Sequence, residues 1–393
     1  MLLDLGGTVR ARSAAETLAR LKPMLPRFGI TRVMAQEGLG EIKIPVSISC
    51  RPNSRFVSTS QGKGISRELA DVSAIMESIE GFHAERVPPA ALTATTAELE
   101  RAGRRFLPPT ALVTIPQVLP HSASDAIDWL EAKRLGDGAP VLVPRRFLSM
   151  DQTVVWTEVA TWNMFVSTNG LASGNTREEA IVHGLYELIE RDSMYEYRYE
   201  RTPAEQVQRR VDLATLPRIP HIVELLGRLD EADIELTVSA IHGHLGVPAF
   251  AAMVRPRALV DHAISSGCGA HYVPEVALSR AITEAVQSRI TFISGSRDDL
   301  MPWHYWDAGP APAAVNDPSS SGLSFADVPR PPRFATFPDV LRWTVDVLAV
   351  HGLVDSCYFD HQRPELGDIP VVSVVCPGLR IDFQVAHQAR NDR

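Results

Sequence analysis

Three stretches of the chain space apolar residues three and four apart, the period of a helix with one buried face: Ser66 to about Arg86, Thr176 onward, and Pro274 to about Ser294. The second begins Thr-Arg-Glu-Glu, so Thr176 and Glu179 have the spacing of a capping box. Shorter helical patterns lie in "AAETLARLKPML" and "FPDVLRWTVDVLAVHG". Extended runs are expected at "IPVSIS", "RFVSTS", "VLVPRRFL", "TVVWTEVATW", "ELTVSAI", "PAFAAMVRP", "DSCYFD" and "PVVSVVCP". Pro, Ser and Gly crowd residues 301–333, which are expected to form a connecting surface loop. The fold class is α/β, with one domain over 1–393. It divides into an N-terminal α/β portion (1–60), a core holding the three long helices (60–300), the loop (301–333) and a C-terminal α/β portion (334–393).

Superimposed, the three long helices repeat one another. Ala70, Ser73, Ala74, Glu77 and Glu80 align with Ala180, His183, Gly184, Glu187 and Glu190, and then with Ala277, Arg280, Ala281, Glu284 and Gln287. At about 100° per residue these positions fall within an arc of about 120°, so one helix face carries a polar ladder about 15 Å long. The small residues at the first and third aligned positions let something approach the backbone closely. An isolated acid pair on a helix is ordinarily a solvated face. Three unrelated solvated faces would not repeat the same small residues beside the same acids. Apolar Ile75, Met76 and Ile79, and Leu185, Leu188 and Ile189, also flank the first two pairs.

Gathered in one cavity, Glu77, Glu80, Glu187 and Glu190 would repel one another or take up protons unless a cation joined them. Hard oxygen ligands favour Mg²⁺, which usually shares carboxylates with phosphate oxygens and water. A nucleotide would supply the phosphates and arginines would clamp them. Arg191 follows the second acid pair, while Arg280 and Arg289 lie on or beside the third ladder, where Gln287 is consistent with a phosphate or sugar contact. The turns "SQGKGIS" and "NGLASGNT" offer backbone N–H groups ahead of helix N-termini, and Lys63 could add a point charge. Neither turn is a Walker A motif.

With 393 residues and 45% hydrophobic content the chain can bury a large core. A net charge of −8 without a Lys/Arg run argues against a nucleic-acid surface. The N-terminus lacks the pattern of a secretory leader, and no apolar run reaches the length of about 18 residues that a membrane span needs. A soluble cytoplasmic protein is expected, with no membrane partner. Cys50, Cys268, Cys357 and Cys376 form no CxxC pair and are expected to be reduced and packed. Cys268 has no motif supporting a nucleophile, and His83 and His271 have no metal-ligand spacing.

At these residues the chain resembles the YcaO family. "SQGKGISRELADVSAIMESIE", "NGLASGNTREEAIVHGLYELIERD" and "GCGAHYVPEVALSRAITEAVQSR" are similar to its three signature segments, and "PVVSVVCPGL" to its C-terminal one. The resemblance covers roughly residues 30–380 and implies a YcaO-type α/β fold with repeated strand and acidic-helix units around an ATP and Mg²⁺ site. It implies use of ATP to activate a peptide backbone amide oxygen, usually by phosphorylation, while a nucleophile adds to the amide carbon. Carried over by position, Glu77, Glu80, Glu187 and Glu190 would hold Mg²⁺. Ser73, Asn175, Glu179, His183 and Arg191 would surround the nucleotide, with Lys63, Ser66, Arg280, Glu284 and Arg289 as further members and Arg280 and Arg289 as catalytic candidates. His183 stands where some relatives carry glutamine.

The chain ends "VAHQARNDR", without the PxPxP tail of many azoline-forming members, and "RPNSRFVSTSQGKG" is similar to the subgroup encoded beside a TfuA protein. That resemblance implies thioamide formation on a precursor or protein peptide with a TfuA-like partner. Azoline or amidine formation is the alternative within the family. No leader-recognition domain is seen in the sequence, so a separate protein is expected to bring the peptide; a homodimer is an open expectation. Two other classes stand beside this reading. One is a carboxylate-bridged di-metal oxidoreductase, whose sites carry Glu-x-x-His twice where here both motifs end in Glu; the other is a non-catalytic nucleotide-binding accessory protein.

Overall fold

The structure, a computed structural model, describes residues 2–36, 38–112, 123–154, 166–258, 264–297, 300 and 322–381. The extended run expected in "TVVWTEVATW", most of the 301–333 loop and the tail "VAHQARNDR" lie outside the described residues.

A small hairpin of β1 (Leu3–Asp4) and β2 (Val9–Arg10) leads to helix α1 (Ala14–Leu21), whose N-cap Ser13 makes a capping box with Glu16. Strands β3 (Arg32–Ala35), β4 (Val46–Cys50) and β5 (Thr59–Lys63) form an antiparallel sheet in that order, and α2 (Arg67–Ala84) follows. Next come β6 (Leu92–Ala94), α3 (Thr96–Arg101), β7 (Ile127–Arg134), β8 (Pro140–Pro144) and α4 (Arg145–Leu148). Strand β9 (Leu171–Ser173) then leads into α5 (Arg177–Tyr195). After α6 (Pro203–Gln208) and α7 (Pro220–Glu231), strands β10 (Ile234–Ala240), β11 (Ala249–Pro256) and β12 (Ser265–Ala270) form a second antiparallel sheet, followed by α8 (Pro274–Ser294). A helix at Phe337–Val350 precedes β13 (Cys357–Asp360) and β14 (Val371–Val375). These last strands return to β9, giving the order β6-β7-β13-β14-β9 with β8 on β7.

Each ladder helix thus follows an edge strand of an antiparallel sheet: β5 before α2, β9 before α5, β12 before α8. In the second unit the sheet partners of β9 come from the C-terminal end of the chain, with Val371 opposite Ser173 and Ser373 opposite Leu171.

The small residues of the repeat are where helix meets strand. A Cβ on Gly62 of β5 would lie 2.1 Å from the Ala74 nitrogen and 2.2 Å from the Ala70 oxygen. On Gly269 of β12 it would lie 2.2 Å from the Ala277 oxygen and 2.7 Å from the Ala281 nitrogen. What approaches the helix backbone is therefore its own preceding strand. This also corrects the reading of "SQGKGIS": Ser60 to Lys63 are not an open anion-binding turn but strand residues registered on β4, Ser60 opposite Ser49 and Lys63 opposite Val46. Likewise "NGLASGNT" contains β9, and in "RFVSTS" only Thr59 and Ser60 are strand. Glycine chosen for close packing looks in sequence like glycine chosen for a turn.

Apolar faces opposite the ladders fix the helices. Ile282 and Val286 of α8 share a core with Val238, Phe250 and Val254 and with Ile222 and Leu225 of α7. Leu185 and Ile189 of α5 pack with Val372, Val374, Val340 and Leu348. Ile75 and Ile79 of α2 meet Leu21, Phe28, Met150 and Val371.

Candidate nucleotide and metal site

The three ladders line one cavity of about 660 Å³. Residues that the repeat aligns line it together: Ser73, His183 and Arg280; Glu77, Glu187 and Glu284; Glu80, Glu190 and Gln287; Gly81, Arg191 and Ser288. His183 and Arg280 meet directly, Nε2 to Nη2 at 3.4 Å.

Backbone bonds between units hold the acids. The Ser173 N–H and hydroxyl both donate to Glu80 Oε1, at 2.8 and 2.6 Å, joining α2 to β9. The Ala270 N–H donates to Glu190 Oε2 at 3.1 Å, joining α5 to β12. The Gln287 amide donates to the Gln61 oxygen at 2.8 Å, joining α8 back to β5 and closing the cycle. Its nitrogen is therefore used on backbone, where the sequence reading had a phosphate or sugar contact; an acid at this position would face a carbonyl and repel it. Within their own units, Glu187 Oε2 accepts from the Gly170 N–H at 3.1 Å and Glu284 Oε1 from the Cys268 N–H at 3.3 Å. Glu80 and Glu190 thus each spend one named oxygen on a backbone anchor.

Burial and crowding raise the acids' proton affinity. Glu80 is pushed up to about 8 by desolvation, with Glu77 and Glu187 adding to it against the Ser173 bonds. Glu190 is raised to about 7 by desolvation and by Glu284. Glu187 is also raised by burial, with Arg191 opposing. Glu284 moves the other way: burial would raise it, but Lys63, which ion-pairs with it, and Arg191 outweigh that. Arg191 lies 3.9 Å from Glu187. The surrounding acids hold its guanidinium more firmly protonated than usual, against desolvation. Burial and the positive charge of Arg280 keep His183 neutral, so its ring nitrogen can accept from Arg280 as a glutamine oxygen would. The Nε atoms of Arg191 and Arg280 are buried with no hydrogen-bond partner among the described residues. Unspent carboxylate oxygens and unspent guanidinium donors in one cavity fit a hard cation with a polyanion.

Asn175 and Glu179 also line the cavity, but their bonds run to the N-terminal segment. Glu179 Oε2 accepts from the Ala11 N–H at 3.0 Å and its Oε1 lies 3.5 Å from Arg10, while Asn175 accepts from Thr17 at 3.0 Å. The capping box expected at Thr176 is consequently half made: Thr176 accepts from the Glu179 N–H, but the Glu179 carboxylate is engaged elsewhere. Arg10 and Arg12, given no role by the sequence reading, line the cavity on this segment. Their only signal was the pair of arginines in "TVRARS". Two other expected members do not line it. Ser66 is spent as the exposed N-cap of α2, bonding the Leu69 N–H. Arg289 stands nine residues beyond Arg280, about 180° around the helix, and so off the ladder face.

The remaining sequence candidates are placed elsewhere. Cys268 is buried outside the cavity lining, its thiol pushed up by desolvation and by Glu190. His83 bonds the Ile79 oxygen and His271 accepts from the Val273 N–H, and neither lines the cavity. Asp192, Glu196 and His244 gather on the far side of α5, where Arg380 pairs with both acids and Arg201 with Glu196. No helix among the described residues is long and apolar enough to cross a membrane.

Carboxylates and arginines lining one cavity, on helices tied together through strand backbone, fit a polyanion held with a hard cation. Comparison with known proteins gives that class its family. Residues 61–380 match the profile of the YcaO cyclodehydratases, a family described as binding ATP and Mg²⁺, and the chain belongs to the YcaO family. An uncharacterised protein of the tfuA 3′ region in Rhizobium leguminosarum bv. trifolii is 34% identical over 385 residues, covering 95% of this chain and 89% of the relative. The YcaO of Methanopyrus kandleri, solved with AMPPCP and Mg²⁺, has the same fold at 22% identity, with a TM-score of 0.72 over 99% of this chain and 96% of that one. A heterocyclase solved with substrate and cofactor gives a TM-score of 0.76 at 21% identity; the match covers 97% of this chain and 55% of the heterocyclase.

Proposed function

We propose that this protein uses ATP and Mg²⁺ to activate a backbone amide oxygen of a peptide, and that the product is a thioamide. The observation that carries the reading is that the carboxylates and guanidinium groups of the three aligned helices line one cavity. The relative from the tfuA 3′ region supports a TfuA-like partner and hence sulfur as the incoming atom.

In this reading Glu77, Glu80, Glu187 and Glu190 hold Mg²⁺, which when bound supplies charge neutralisation at phosphoryl oxygens. Glu80 and Glu190 are preorganised for it because Ser173 and Ala270 fix one oxygen of each. Arg191, Arg280 and Lys63 clamp the phosphates, with Ser73 and His183 beside them. Asn175 and Glu179 act by holding the segment that carries Arg10 and Arg12 against the cavity. The amide oxygen attacks the γ-phosphorus and ADP leaves; hydrosulfide or its carrier then adds to the amide carbon and phosphate departs with the former amide oxygen. Oxygen is exchanged for sulfur without redox change. Positioning and electrostatics carry such a transfer. The peptide is delivered in the cytoplasm by the TfuA-like protein or by a separate recognition protein.

Mass spectrometry of a precursor peptide co-expressed with this chain and a TfuA-like protein tests the product. A heavier peptide with oxygen replaced by sulfur is expected; a lighter one that has lost water would establish azoline or amidine ring closure instead. Glu77→Gln and Glu190→Gln should abolish Mg²⁺-dependent ATP turnover while the protein stays folded. Iron uptake without nucleotide binding would sink the whole reading.

A further inference from the structure

Gly81 is a glycine inside α2, a setting that ordinarily disfavours it against alanine. In the repeat it stands where α5 carries Arg191 and α8 carries Ser288, directly after the last ladder residue, and all three line the cavity. A Cβ on Gly81 would lie 3.3 Å from Arg51 Nη2. The room left by the glycine is therefore taken by a guanidinium, which arrives from the residue after β4 instead of from the helix. Arg51 lines the cavity as well. Each acid pair, Glu77 with Glu80 and Glu187 with Glu190, thus has a guanidinium at the same aligned position, one brought from a neighbouring strand and one carried by the helix itself.

Arg51 is held firmly there. Its backbone N–H donates to the Ser58 oxygen at 2.7 Å. Its Nη1 donates to Glu85 Oε2 at 3.1 Å, while its Nη2 pairs with Glu85 Oε1 and donates to Ser54 Oγ at 2.9 Å. These bonds use three of the five guanidinium N–H groups, and none of them uses Nε. Glu85, its side chain fully buried, also accepts from Arg86 Nη1 at 3.0 Å. One carboxylate thus faces two guanidinium groups and does not neutralise both. A fixed, planar guanidinium with donors to spare suits a phosphate.

We infer that Arg51 is a phosphate-binding residue, which holds the metal-bound phosphate tail of the nucleotide from the α2 side as Arg191 does from α5, with Glu85 and Ser54 as its positioning residues. The inference rests on the function proposed above and adds to its binding set a residue from outside the three ladder helices.

The test is calorimetric titration of the full chain with AMPPCP and with AMP, each with Mg²⁺. The ratio of the two affinities reads contacts to the phosphates that AMP lacks, whereas damage to the packing around Glu85 would weaken both ligands alike. Arg51→Met is expected to lower the ratio at least about tenfold, the scale of one hydrogen bond to a charged group. Arg51→Met combined with Gly81→Arg, which supplies the guanidinium from the helix as α5 does, is expected to recover most of it. Should Arg51→Met not fold, Arg51→Lys reads the same ratio, which is expected to fall because an ammonium lacks the planar fork. An unchanged ratio in whichever single variant folds, or a combined variant no better than Arg51→Met, overturns the inference and leaves the nucleotide reading standing. Failure of the unmutated chain to bind AMPPCP overturns the proposed function, and this inference with it.

Discussion

Ser173 shows how much of the site rests on residues that carry no charge. Its hydroxyl and its N–H both bond Glu80 Oε1, so a single serine on β9 aims a carboxylate that belongs to α2. Ser173→Ala keeps the N–H and loses the hydroxyl. Mg²⁺ affinity in the presence of AMPPCP is expected to fall about tenfold, the usual cost of removing a group that orients a metal ligand, and Ser173→Thr should restore it. Titration calorimetry reads the change, and an unaltered affinity would remove Ser173 from the site. Nothing in the sequence marks this serine, because its partner lies 93 positions away. The acids themselves were legible because they recur in register on three helices. Arg10 and Arg12 were not, because the contact that brings them in, Glu179 to Ala11, looks in sequence like a helix cap.

The strand–helix pair is the element that makes the ladder work. Gly62 and Gly269 let β5 and β12 lie on the backbones of α2 and α8, which sets where the ladder residues on those helices point. Gly62→Ala must push strand and helix apart against backbone atoms that cannot move aside. A loss of about 2 kcal/mol or more is expected, in the upper range for overpacking, read as a lower denaturation midpoint by urea titration. Gly29→Ala, with no atom within 4 Å of the added carbon but a left-handed backbone, should cost less. Helix extents were readable from periodicity, and the tail strands "DSCYFD" and "PVVSVVCP" were found where they were expected. The glycine-bearing strands were not, since the same residue type serves a turn and a close approach.

Across the whole molecule, proton binding opposes itself at two places. His83, 2% exposed, is held down to about 4 by desolvation. The unfolded chain therefore takes up a proton at about 6.5 that the folded one refuses until about 4, and stability falls as pH drops through that window, by about 3 kcal/mol from this group. Glu80 and Glu190 have the opposite sign. Raised to about 8 and about 7, they stay protonated in the metal-free fold where the unfolded chain has released its protons, so their contribution is lost as pH rises through those values. In the proposed function Mg²⁺ replaces the protons. The rise in melting temperature given by Mg²⁺ with AMPPCP is expected to be larger at about pH 9 than at about pH 6; calorimetry showing the reverse would mean that the acids do not take up the ion.

The cycle of bonds from α2 to β9, α5 to β12 and α8 to β5 also has a meaning in time. Strand β9 is held in its sheet by β14, with Ser173 opposite Val371, so the anchor of Glu80 depends on residues made about 290 positions after it. At about 5–20 residues per second of synthesis, the first acid pair waits on the order of 15–60 s for its anchor. A growing chain therefore carries the acids long before it carries their anchors, and in the proposed function the site for ATP is not organised until β14 is in place.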